Sequence, residues 1–195
     1  DDQVNFKKIK NNIDDFIGIK QFKKNQWFSL KDILIYKNRI FISYTEEIEE
    51  DCWNTSIISG NINFKYIKFK KQFSSEECVH SIENIDKVFN AHQSGGRIIP
   101  FDEHNILLSI GDYRSRHLAQ NENSVNGKII KINLKNNNYK IISMGHRNPQ
   151  GIYFDKELGL ILETEHGPKG GDEINIIDVG KINEGQIQNY GWPIA

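Results

Sequence analysis

The densest group of reactive side chains in this chain of 195 residues is Gly145-His-Arg-Asn-Pro-Gln-Gly151. Arg147 offers a planar fork that can bind a carboxylate through two parallel hydrogen bonds. Asn148 and Gln150 can each donate and accept. Pro149 and the flanking glycines set the backbone shape. The stretch lies between two apolar runs, so it reads as a loop gripped by strands, where side chains can be aimed at a common centre. Taken alone, the same residues also describe a structured turn with an exposed arginine.

A second group, Thr164-Glu-His-Gly-Pro-Lys-Gly-Gly-Asp-Glu173, combines accessible carbonyls around Gly167 and Pro168 with the carboxylates of Asp172 and Glu173. Hard oxygen donors of this kind suit Ca²⁺, which takes about six to eight of them. A solvated acidic turn accounts for the loop equally well. Zinc does not suit it, because no second histidine stands at ligand spacing. His92, in Ala91-His-Gln-Ser-Gly-Gly-Arg97, precedes a strand, and an imidazole there can move a proton near neutral pH. Histidines so placed are more often surface or core filler. Asp112 follows the next strand, in Gly111-Asp-Tyr113. His80, His104, His117 and His146 receive no role from the sequence.

The elements that must hold these groups read as strands. Asp32–Tyr36 and Arg39–Tyr44 are β-rich runs about the Lys37-Asn38 turn. Thr55–Ile58 and Phe64–Phe69 follow, with Gly60-Asn61 as their turn, which makes a four-stranded meander. The cadence returns in Arg97–Ile99 with Ile106–Ile110, Lys128–Asn133 with Tyr139–Ile142, and Gly151–Phe154 with Gly159–Glu163, followed by Glu173–Ile177. The best helical stretch, Ser81–Phe89, is short and poorly periodic. The fold class is all-β. The phrase x-Phe-Asp-x-x-x-x-Leu occurs at 100–107 and again at 153–160, which argues for a repeated hairpin and hence a β-propeller. At ~40–45 residues per blade the chain holds about three to four blades. One propeller domain over 1–195 is expected, with first blades in 1–89 and motif-bearing blades in 90–195. An incomplete ring, excerpted from something longer at its C-terminal end, is also expected.

Lys+Arg total 25 and Asp+Glu 26, and the basic residues fall in short pieces such as Lys7-Lys8 and Lys68-Phe-Lys70-Lys71. This balance argues against a nucleic-acid partner. No apolar run reaches the ~18 residues of a membrane span. Cys52 and Cys78 can form one disulfide in an oxidising compartment or stay as two buried thiols.

Seven motifs occur in order: His92-x-x-Gly-Gly-Arg97, Ile110-Gly-Asp112, Gly127-Lys-Ile-Ile-Lys-Ile-Asn133, Gly145–Gly151, Glu165-His-Gly-Pro168, Asp172-Glu-Ile-Asn175 and Asn189-Tyr-Gly-Trp-Pro193. From about residue 90 to 193 the chain resembles the glucose/sorbosone dehydrogenases, soluble enzymes dependent on pyrroloquinoline quinone. The resemblance implies a six-bladed propeller with the quinone in a pocket on its top face, oxidising an aldose sugar at the anomeric carbon. It implies His92 as general base and Arg147 as both a catalytic residue and, with Asn148, a contact of the quinone. Asp112 and Gln150 complete the implied cofactor set. The carbonyls of Gly167 and Pro168 match ligands of a Ca²⁺ that holds the quinone, and Glu173 and Tyr190 match a second, structural Ca²⁺ site. A periplasmic or secreted location is implied. The electron acceptor is unknown, and a homodimer is compatible with the sequence. The alternatives are a non-catalytic propeller that binds a protein or glycan, and a calcium-dependent hydrolase of the lactonase kind.

Overall fold

The structure is a computed structural model that describes residues 8–194. Asp1-Asp2, Lys7 and Ala195 lie outside the described residues. Three antiparallel sheets follow one another along the chain. The first is a meander of β1 (Leu30–Tyr36), β2 (Arg39–Glu49), β3 (Cys52–Asn61) and β4 (Lys70–Phe73). The second runs β5 (Gly95–Pro100), β6 (Asn105–Ile110), β7 (Lys128–Asn133) and β8 (Tyr139–Met144), with Gln188–Asn189 added in parallel beside β8. The third comprises β9 (Pro149–Asp155), β10 (Leu160–Glu165) and β11 (Glu173–Asp178).

The alternation of side chains across strands decides which sheet lies in the middle. Ile106, Leu108 and Ile110 of β6, with Ile130 and Ile132 of β7, face the first sheet and join Phe41, Trp53, Ile57 and Phe73. Leu107 and Ile129 point the other way, toward Phe101, Ile142, Ile161 and Ile177. The second sheet is therefore apolar on both faces, which is why β6 reads as the near-continuous run Ile-Leu-Leu-Ser-Ile. Fully burying each of these side chains stabilises the fold by about 1.5–3 kcal/mol. The first strands of successive sheets are neighbours: β5 lies against β1 on one side and β9 on the other. Asp32 of β1 accepts from the Ile98 amide at 2.9 Å, and Ser109 donates to the Pro149 carbonyl at 2.7 Å, so polar contacts also tie the sheets together.

Most expected strands form, and three readings need correction. The Lys37-Asn38 turn has both residues at positive φ, 48° and 57°, as a two-residue hairpin turn requires. The strand expected at Thr55–Ile58 runs on through Gly60-Asn61, so those residues are strand rather than turn. The run Phe64–Phe69 is not the fourth strand. Only Tyr66–Ile67 pairs, in parallel with Lys10–Asn11, and Asn12 holds the Phe69 amide at 2.7 Å and its carbonyl at 3.2 Å. The meander is completed by β4 instead. Ser81–Phe89 forms turns, not a helix. Asp51 takes the Ile82 amide, Asn84 takes the Val88 amide, and Ile82 and Ile85 are exposed, so no apolar face anchors a helix there. The one-turn helix Val179–Asn183, N-capped by Asp178 on the Gly180 amide at 2.7 Å, has no counterpart in the sequence reading. Cys52 and Cys78 form a disulfide.

Candidate functional site

The loop between β8 and β9 and the loop between β10 and β11 are joined at a buried carboxylate. Glu165 ends β10 and is buried, and its Oε2 accepts from the backbone amides of both Arg147 and Asn148. The Asn148 carbonyl in turn accepts from the His166 amide at 3.3 Å. An anionic acceptor on two adjacent N–H groups is among the stronger hydrogen-bond arrangements available. It fixes the direction in which the Arg147 and Asn148 side chains leave the chain.

Those side chains then bind the remaining loops. Arg147 Nη1 donates to the carbonyls of His166 and Gly167, each at 2.7 Å, and its guanidinium lies over the Trp192 ring at 5.5 Å. Asn148 Oδ1 accepts from the Gly95 amide at 3.1 Å, which couples this loop to the His92–Arg97 segment. Gly95 has φ +60°, and a Cβ there would lie 2.9 Å from the Pro149 carbonyl, so only glycine admits this approach. Asp112 is buried, and its backbone amide donates to the Arg147 carbonyl at 2.9 Å. Its carboxylate accepts from Gln93 at 2.6 Å, from the Arg114 amide at 2.8 Å and from the Trp192 indole at 2.8 Å. Burial raises the Asp112 carboxyl above the usual range, and the three donors oppose that shift.

The other predicted residues surround this group. His92 is exposed on the turn before β5, its backbone amide held by Asn90 at 2.8 Å and its ring edge-on to Trp27. Lys31 reaches the neighbouring Ala91 carbonyl at 3.4 Å, and burial lowers its amine to about 8. Gln150 is exposed, and its carbonyl accepts from Arg97 at 3.1 Å. The Gly167 amide is held by Asp172 at 3.1 Å, and a Cβ on Gly167 would fall 1.6 Å from the Gly171 carbonyl. The Pro168 carbonyl accepts from the Gly171 amide at 2.7 Å. Glu173 is exposed and accepts from Asn175 at 3.2 Å. The Tyr190 amide donates to the Met144 carbonyl at 2.9 Å, and its ring stacks on His146 at 5.1 Å. Direct hydrogen bonds thus join Arg147, Asn148, Asp112 and Gly167 in one network, and Glu173 and Tyr190 flank it.

A cavity of about 360 Å³ opens beside this network, lined by Gln150, Glu165, His166, Asp172 and Glu173. A larger cleft, about 1220 Å³, runs past Gln72, Asn105, Lys131 and Tyr139 and contains none of the predicted residues. Its size carries less weight than the convergence of hydrogen-bonding groups at the smaller cavity. Glu165, Trp192, His146 and Asn175 stand within the sequence motifs, but the sequence reading gave their side chains no role, and it gave none to Glu163. The Glu163-x-Glu165 spacing, which puts both carboxylates on one strand face, was the available signal.

Residues 30–195 match the family model described as Glucose / Sorbosone dehydrogenase. Aldose sugar dehydrogenase YliI of Escherichia coli (strain K12) is 28% identical over 173 residues, covering 80% of this chain and 42% of that protein. Quinoprotein glucose dehydrogenase B of Acinetobacter calcoaceticus is 32% identical over 132 residues, covering 52% of this chain and 26% of that one. The chain therefore spans less than half the length of these relatives. The crystal structure of the soluble aldose sugar dehydrogenase from E. coli in its apo-form superposes with a TM-score of 0.66 at 26% identity, covering 87% of this chain and 50% of that one.

Proposed function

Since this chain belongs to the glucose/sorbosone dehydrogenase family, we propose that it supplies half of the active site of an aldose dehydrogenase dependent on pyrroloquinoline quinone. The observation that carries this reading is the Glu165-anchored network, which aims the Arg147 guanidinium and the Asn148 amide at the same end of the sheets as the His92 turn. The three sheets are then successive blades of a six-bladed ring, with residues 90–195 bearing the site.

The residues present fit the absent groups. Arg147 provides a cationic fork for a quinone carrying carboxylates, and Asn148, Asp112 and Gln150 border it. A Cβ on Gly167 would strike the Gly171 carbonyl, so the loop closes tightly on itself there. The carbonyls of Gly167 and Pro168 each have a second lone pair beyond the hydrogen bond they accept, and hard oxygens are what Ca²⁺ takes. Glu173 and Tyr190 provide the ligands of a second, structural Ca²⁺. When bound, the quinone with its Ca²⁺ supplies the two-electron acceptor for the hydride at the sugar's anomeric carbon. His92 takes the proton of the anomeric hydroxyl as that hydride leaves, and the sugar becomes its lactone. Arg147 holds its charge beside the acceptor, where negative charge grows.

The Cys52–Cys78 disulfide supports a periplasmic or secreted setting. The test is dye reduction by the whole protein carrying these residues, given glucose, pyrroloquinoline quinone and Ca²⁺. Reduction is expected, with little or none from the 195-residue chain alone. No reduction, together with no change in quinone absorbance, would remove the enzyme reading. His92→Ala should lower turnover about 100-fold or more while quinone binding persists. Unchanged turnover would remove His92 from the role of base.

A further inference from the structure

One group of buried side chains supplies no ligand to the quinone or calcium assignments, although one oxygen of its Glu165 also anchors the Arg147 loop. On β10, Glu163 and Glu165 share a face two residues apart, and Asn175 of β11 lies directly across from Glu163. His146 reaches the same point from the loop after β8. Its Nδ1 is 3.2 Å from Glu165 Oε1 and 3.7 Å from Glu163 Oε2, and all three side chains are at most 2% exposed. One ligand atom from each residue lies within 4.8 Å of the other two.

Two carboxyl groups buried side by side are accommodated either by a retained proton or by a bound cation. Among the described residues neither pairs with a lysine or arginine; the neutral amide of Asn175 donates to both, at 3.0 and 3.2 Å. Glu163 Oε1 is buried without any hydrogen-bond partner. An orphaned buried carboxylate oxygen is costly and calls for an explanation.

We propose that His146, Glu163 and Glu165 form a binding site for a divalent cation of the zinc class. An imidazole nitrogen with two carboxylates is a donor set for zinc-like ions and not for Ca²⁺, which prefers all-oxygen shells. A tetrahedron built on bonds of ~2.0–2.1 Å has edges of about 3.3 Å, close to the spacings on His146 Nδ1. The surroundings are those of an oriented site. Ser143 Oγ meets His146 Nε2 at 2.8 Å, which leaves Nδ1 facing the carboxylates, and Tyr190 stacks on the ring. Glu165 also lines the cavity of about 360 Å³, which gives an ion a route inward. A bound ion would clamp the Arg147 loop to β10. No residue is shared with the calcium ligands assigned above, and the inference stands whether or not the protein oxidises sugars.

The test is calorimetric titration of the chelator-treated full chain with ZnCl₂, alongside thermal unfolding. One equivalent should bind and raise Tm by several degrees. Co²⁺ in its place should show visible d–d bands of a nitrogen/oxygen site. Glu163→Gln should weaken Zn²⁺ binding about 100-fold, with a metal-free Tm at least equal to that of the parent, because the orphaned carboxylate is gone. Should that variant fail to fold, His146→Gln and the Co²⁺ spectrum of the parent decide the matter. His166→Ala should bind as the parent does. Absence of one-to-one binding, full affinity in Glu163→Gln and His146→Gln, or loss confined to His166→Ala would each overturn the proposal.

Discussion

Glu163 should make the metal-free fold less stable as pH rises from weakly acidic to weakly alkaline values. Its carboxyl is pushed up to about 8, first by burial and then by the charge of Glu165, with Glu173 adding to the shift and the Asn175 amide opposing it. The sign follows from proton counts. An unfolded glutamate titrates near 4.5. Between that value and about 8 the folded state keeps a proton that the unfolded state has released. Stability from this group is therefore fully present below pH 4.5 and is lost as pH rises through 8. At 1.36 kcal/mol per unit the loss approaches a ceiling on the order of 5 kcal/mol. Water entering an opened site would reduce it. The assay is urea unfolding at several pH values between 4.5 and 8.5, with chelator, for the parent and Glu163→Gln. Subtracting the two curves removes contributions from groups that do not touch Glu163. The variant should gain on the parent steadily with pH, by at least about 2 kcal/mol across the window. A difference that stays flat, or falls with pH, would refute the claim that Glu163 is protonated in the fold.

Glu165→Ala should destabilise the protein by about 2–6 kcal/mol, since it strips the acceptor from two backbone amides at ~1–3 kcal/mol each. It should also weaken quinone binding even though it leaves Arg147 and Asn148 in place; Glu165→Gln, which keeps an oxygen there, should recover most of both in unfolding and titration experiments. Cys52→Ser should cost about 3.5 kcal/mol in chemical denaturation, the loop-closure entropy expected for two cysteines 26 residues apart. Reductant should lower the stability of the parent by a similar amount and leave the variant unchanged.

Much of the fold is legible in local pattern. The near-continuous apolar runs at 106–110 and 128–133 mark strands buried on both faces, and Lys37-Asn38 marks its own hairpin turn, because both signals act between near neighbours. Local pattern misplaced the fourth strand, where Asn12, more than fifty residues away in sequence, takes the Phe69 backbone out of the ladder. The loops rich in Gly, Arg, Asn and Pro were visible as the reactive part of the chain, and residues 30–195 belong to the glucose/sorbosone dehydrogenase family. What joins those loops was not visible. His146 had no role in the sequence, Glu163 looked like an ordinary strand residue, and Glu165 stood in a loop motif with no role for its side chain. Burial and charge become properties of these groups only when β10 is laid beside the loop after β8, and that placement follows from which apolar faces meet. By itself the sequence determined the strands, the turns and the types of donor available. The tertiary structure decided that one buried carboxylate organises the Arg147 loop and that another stands beside it with an oxygen unpartnered, because sheet packing brings together side chains that no local spacing relates.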